Sequence, residues 1–221
     1  MREDLEQEEQ LAAAKAFWKT NRLWILTLGW IVLLATAGYQ GWTAWQAHQG
    51  EKASALLSGV ERAIQEQDLE KATAVGKTLV ENHSGSDQHV LAAFRIAKAY
   101  AAGSQFDEAA QWLRPAVEAR DPALGWVARL RLSAVLIDLD QLPQALASLE
   151  GAPPESFVPQ VDDRRGDIHA LLGKPAEAAT AWKSALTALG GEPPKSALAD
   201  IVARKIASLE AFSAQSEGKA P

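Results

Sequence analysis

Residues 106–113 read FDEAAQWL, residues 142–149 read LPQALASL and residues 175–182 read PAEAATAW. They align on Ala109, Ala145 and Ala178, spaced by 36 and 33 residues, and DLEKATAV places Ala72 another 37 residues upstream. Around them the chain is rich in Ala, Leu, Glu, Gln and Arg, with apolar residues three and four apart and few β-branched runs. Apolar spacing of that kind predicts helices. A period of about 34 residues predicts helix-turn-helix units that bury their faces by stacking on one another.

Further positions recur in register. A small residue stands twelve places before three of the alanines (Ala97, Ser133, Gly166), and a large one nine places before two of them (Tyr100, Leu136). Leu113, Leu149 and Trp182 follow by four, and Ala116, Ala152 and Ala185 by seven. The pattern resembles the tetratricopeptide repeat, in which small side chains let paired helices approach and large ones fill the space between pairs. His169 departs from it, as do Val60 and Gly76 in the unit around Ala72, which is expected to be a degenerate cap. Turn chemistry marks the breaks: residues 83–87, Gly103-Ser104, Asp121-Pro122, Leu142-Pro143, Ala152 to Pro154, Gly173 to Pro175 and Gly190 to Pro194. The repeat domain is expected over residues 53–212, closed by an amphipathic helix from Lys195 to Phe212, with residues 213–221 a disordered polar tail.

Upstream lies LWILTLGWIVLLATAGYQGWTAW, residues 23–45, with no charged residue. About 20 helical residues cross a bilayer core of about 30 Å, so one transmembrane helix is predicted. Trp18 and Trp24 near one end and Tyr39, Trp42 and Trp45 near the other suit the two headgroup levels. Gly29, Gly38 and Gly41 lack the GxxxG spacing of a dimerising span. Lys15, Lys19 and Arg22 precede the span while only Lys52 follows it closely, which predicts a single-pass type II chain, N-terminus in the cytoplasm. Residues 1–22 form a short cytoplasmic tail, and residues 46–68, without proline, a helical stalk merging into the first repeat. A cleaved signal peptide ending at Ala35-Thr36-Ala37 is the competing reading; the aromatic residues beyond Ala37 favour a retained anchor.

The formal charge of −6 argues against a nucleic-acid surface, and the absence of cysteine excludes disulfides, thiolate metal sites and a cysteine nucleophile. The four histidines fall in different segments without ligand spacing, and no GxSxG or phosphate-binding glycine loop is present. Asp162, Asp163 and Asp167 interleave with Arg164 and Arg165 and read as solvated charge and capping at a helix start. No enzyme, metal or cofactor is expected. A binding surface is: Arg95, Arg131 and Arg164 each stand fourteen places before a repeat alanine and would form a ladder on the first helices of the pairs, joined by Lys98. Such a ladder suits acidic groups of a partner. The alternative is internal pairing, for instance Arg164 with Asp167.

Four stretches carry a resemblance to a specific family: AAAKAFWKTN (12–21), GWTAWQAHQ (41–49), DDRRGDIHALLGKPAEAATAWKSAL (162–186) and ARKIASL (203–209). In this order, across residues 11–210, the chain resembles the YfgM-like ancillary subunits of the SecYEG translocon, single-span proteins with a periplasmic tetratricopeptide-like domain. The resemblance implies an inner-membrane protein with its C-terminal domain in the periplasm. It also implies association with the translocon and with periplasmic chaperones such as PpiD, and a part in handing over newly exported proteins. A regulator of envelope stress signalling, acting through the short tail, is the alternative function.

Overall fold

The computed structural model describes the backbone of residues 2–191 and 196–217, and the side chains of those residues apart from 2–10, 14, 25 and 213–217. Among the described residues there are helices and no strands. In chain order they are α1 (Arg2–Gln65), α2 (Leu69–His83), α3 (Asp87–Ala102), α4 (Phe106–Ala116), α5 (Pro122–Asp138), α6 (Leu142–Ala147), a single 3-10 turn (Glu155–Phe157), α7 (Val158–Leu171), α8 (Pro175–Ala188) and α9 (Ala197–Glu217). The chain divides into two compact units, Met1–Lys52 and Ala53–Pro221.

In the second unit, the same turn joins the two helices of each pair four times over. Gln67, Ser104, Asp140 and Gly173 all have positive φ, between 58° and 71°. Each lies five residues before a repeat alanine. The residue after each donates its backbone N–H five residues back: Asp68 to Ala63, Gln105 to Tyr100, Gln141 to Leu136 and Lys174 to His169, at 2.8–3.0 Å. This left-handed cap satisfies carbonyls that the ending helix leaves open. Asp68 and Asp121 then cap the starts of α2 and α5, accepting from the backbone N–H of Lys71 at 2.9 Å and Ala123 at 2.8 Å. Pro122, Pro143, Pro159 and Pro175 stand in first turns, where a missing N–H costs nothing.

The repeat alanines lie where helices cross: Ala72, Ala109, Ala145 and Ala178 are all 0% exposed. Ala97, Ser133 and Gly166 are buried opposite them, and Ser133 returns its hydroxyl to the carbonyl of Leu130 at 2.8 Å. Gly166 has no room for a side chain, because an added Cβ would collide with the Trp182 indole. Leu113, Leu149 and Trp182 fill the layers between pairs.

Three expectations need correction. The unit around Ala72 is no degenerate cap: Val60 and Leu79 are fully buried, and at Gly76 the missing bulk is supplied by Ile96 and Trp112 from the next unit. Ala152 is exposed, not packed in register, because α6 ends at Ala147 and the chain turns away through Gly151, at φ 103°, and two prolines. The closing helix α9 continues past Phe212 to Glu217. Ser196 caps it, accepting from the N–H of Ala199 at 3.1 Å. Lys195, much of the Gly190–Pro194 break and the tail residues 218–221 lie outside the described residues.

In the first unit, Leu23, Trp24, Leu26, Leu28, Trp30, Ile31, Val32, Leu33 and Leu34 are each at least half exposed. The threonines among them keep their hydroxyls satisfied on the helix itself, Thr27 on the carbonyl of Trp24 at 2.8 Å and Thr36 on those of Val32 and Leu33 at 2.9 Å. Among the described residues no single helix is long and apolar enough to cross a membrane, but the bent pair Leu11–Trp24 and Leu26–Gln65 meets length and composition together.

Candidate functional site

Arg95 and Lys98 stand one helical turn apart on the exposed side of α3. They line an open groove of about 540 Å³ with Glu61, Ile64 and Gln65 from the end of α1 and with Ala99 and Ala102. Arg95 Nε donates to Glu61 Oε1 at 3.1 Å, with both side chains substantially exposed. Arg131, from α5, lies 4.3 Å over the ring of Phe94. Burial, and then the charge of Arg95 close by, lowers the Arg131 guanidinium below its usual value. Two guanidiniums are thus held near each other with one carboxylate partner among the described residues, leaving local positive charge.

Of the expected ladder, Arg95 shares this groove with Lys98, and Arg131 lies close to Arg95. Arg164 is half-buried on α7 beside Asp163, whose charge it opposes. Its suggested pairing with Asp167 does not form, because Asp167 is taken by Lys205 of α9 at 2.6 Å.

The acidic run on α7 is not the solvated capping charge that its sequence suggested. Asp162 to Asp167 begin a full turn inside the helix, which starts at Val158. Lys205 Nζ bridges Asp163 Oδ1 at 2.7 Å and Asp167 Oδ1, and Trp182 Nε1 on α8 donates to Asp167 Oδ1 and to the carbonyl of Asp163, both at 3.2 Å. Asp162 accepts from Arg165 at 3.0 Å and from Ser184 at 2.6 Å, while Arg165 also reaches the carbonyls of Leu149 and Gly151. Burial pushes the Asp163 carboxyl up, Asp167 adds to the push, and Lys205 opposes it. This clasp ties α7, α8 and α9 together.

A second concavity, of about 410 Å³, lies between α2, α3 and α4 against Val80, Ala93 and Trp112. Among the described residues no three His, Asp or Glu side chains gather where a metal ion could be held. On the first unit, Trp18, Trp24, Tyr39, Trp42 and Trp45 are all exposed, and the rings of Trp42 and Trp45 sit 5.5 Å apart.

The sequence profile of the tetratricopeptide repeat-like domain family matches residues 15–211. The chain belongs to that family. Three similar proteins carry the name ancillary SecYEG translocon subunit. That of Haemophilus influenzae is 29% identical over 82% of this chain and 89% of its own length, that of Neisseria gonorrhoeae 28% over 82% and 88%, and that of Escherichia coli 27% over 80% and 86%. These alignments bear out the resemblance carried by the four quoted stretches, and the family match begins at Lys15, upstream of the apolar segment.

Two features of this family member escape a reading of spacing alone. Lys205 could have been noticed, since it interrupts an apolar face of Val202, Ile206 and Leu209 and must find a partner there. Glu61 could not, because nothing in the sequence assigns that carboxylate to Arg95 across 34 residues.

Proposed function

We propose that this chain is a membrane-anchored ancillary component of the SecYEG translocon, whose helical-repeat domain is a periplasmic adaptor for chaperones such as PpiD, for newly exported proteins, or for both. The observation that carries the reading is the alignment, over four-fifths or more of this chain, with proteins named for that role. Two features support it: an uncovered apolar stretch at residues 23–34, and stacked repeats that leave an open groove on their surface. On this reading the tryptophans and Tyr39 mark the headgroup levels, the N-terminal tail stays in the cytoplasm, and the surface at Arg95, Lys98, Arg131 and Arg164 faces partners.

Co-purification after mild detergent extraction tests it. The intact chain should bring down translocon subunits, and a chain whose residues 23–45 are replaced by an unrelated single span should lose most of them. Equal recovery from both would place the contact elsewhere, and recovery from neither would reject the translocon reading.

A further inference from the structure

The groove beside Arg95 contains a carboxylate of its own, and the way that carboxylate is held says what else fits there. Glu61 uses only Arg95 Nε, so among the described residues the terminal guanidinium nitrogens make no hydrogen bond. Lys98 likewise has no hydrogen bond or ion pair among the described residues, although it lines the same groove. Two cations thus face one acid along the lining, and the positive charge of Arg131 lies just beyond. An ion pair as exposed as Glu61–Arg95 contributes little and exchanges readily with a competing acid. Between the charges, Ile64, Ala99 and Ala102 form an apolar floor.

We propose that this groove receives a segment of a partner polypeptide carrying a carboxylate next to an apolar side chain, and that Glu61 holds the carboxylate's place while the groove is empty. The incoming acid takes the fork of Arg95 that Glu61 leaves open and draws in Lys98, and its apolar neighbour covers Ile64 and Ala99. Guanidinium forks bind carboxylates through two parallel hydrogen bonds, so a properly placed acid outcompetes a one-point internal contact. The inference rests on the adaptor reading above and names the chemistry of the partner.

The test uses the full chain in detergent micelles and a fluorescein-labelled, amidated peptide of alternating glutamate and leucine, with a glutamine-and-leucine peptide as control. Anisotropy should show the glutamate peptide binding at least tenfold more tightly than the control, weakening as salt rises. Arg95→Gln should lose at least tenfold, Lys98→Gln less. Glu61→Gln should bind about threefold more tightly than the native chain, the size expected for removing an exposed internal competitor. Unchanged or weaker binding by Glu61→Gln, or equal binding of the two peptides, would overturn the proposal. Should Arg95→Gln lose helicity, Glu61→Gln alone decides, since it removes only an exposed contact. If the peptides fail to discriminate while translocon subunits still co-purify, this groove is rejected and the anchor reading stands.

Discussion

The two units of this chain spend their apolar side chains in opposite ways. From Leu23 to Leu34 nearly every side chain is large, apolar and uncovered, on a helix that presents such residues all the way round. From Ala53 onward most large apolar residues lie in stripes that neighbouring helices cover, with small residues such as Ala97, Ser133 and Gly166 buried near the repeat alanines. A helix apolar on all sides asks for a solvent that is itself apolar, whereas a striped one asks only for a neighbour. The polar groups follow the same division. In the first unit the threonines bond back to their own helix, while in the second the charges of α7 reach across to α8 and α9.

The contrast breaks most completely if the first unit is denied its solvent. Replacing Ile31 and Leu34 by lysine places two charges among apolar residues at about 3 kcal/mol each on insertion scales. The chain should leave the alkali-washed membrane fraction while the helicity of the repeat unit, read by circular dichroism, is retained. Retention in the membrane would argue that residues 23–34 find their cover in protein.

Overfilling a helix crossing sharpens the other half. Gly166→Ala pushes a methyl group into the Trp182 ring and should cost about 2–3 kcal/mol, read as a lowered denaturation midpoint. Ala substitution of an exposed glycine such as Gly38, where nothing lies within contact distance, should cost the repeat unit nothing.

Removing Lys205 from the clasp should cost somewhat less, about 2 kcal/mol at neutral pH for Lys205→Met, because the two carboxylates it leaves keep some access to water. The sign with pH is distinctive. Asp163 already holds its proton more tightly in the folded chain than in the unfolded one, since burial raises it, and losing Lys205 raises it further. The folded state then takes up the proton first as pH falls. The deficit of Lys205→Met against the native chain should therefore shrink on acidification toward the carboxylate range and be largest above it. A deficit that grows with acid would contradict the assignment of a buried, unpaired carboxylate.

The smallest effect is expected at Arg95. Arg95→Gln removes an exposed ion pair and should change stability by less than about 1 kcal/mol. A larger loss would mean that the arginine holds the fold together, against its proposed role toward partners.

Much of this division was legible in the sequence, and for a physical reason. Ala72, Ala109, Ala145 and Ala178 mark helix crossings because a close approach of two backbones tolerates little else, and the constraint recurs with every unit. The apolar run was legible because no charge interrupts it, and its described side chains are left uncovered. The common turn was hidden: of Gln67, Ser104, Asp140 and Gly173 only the last announces a positive φ, and the other three are held there by the backbone bond that follows them. The clasp was hidden as well, since Lys205 meets its two aspartates 42 and 38 residues away, by an alignment of helices that period alone does not fix. The nearness of Arg95 and Arg131 was legible from their shared offset, yet their partners, Glu61 for Arg95 and the Phe94 ring for Arg131, are matters of packing.

We propose that the apolar stretch and the repeats hold this chain beside the export machinery. A photoreactive residue placed at Trp30, and separately at Lys98, in the full chain in living cells tests it most directly, with the captured proteins identified by mass spectrometry. Translocon subunits are expected from the first position and chaperones or exported proteins from the second. Capture of neither class from either position, with the chain at normal abundance in the membrane, would contradict it.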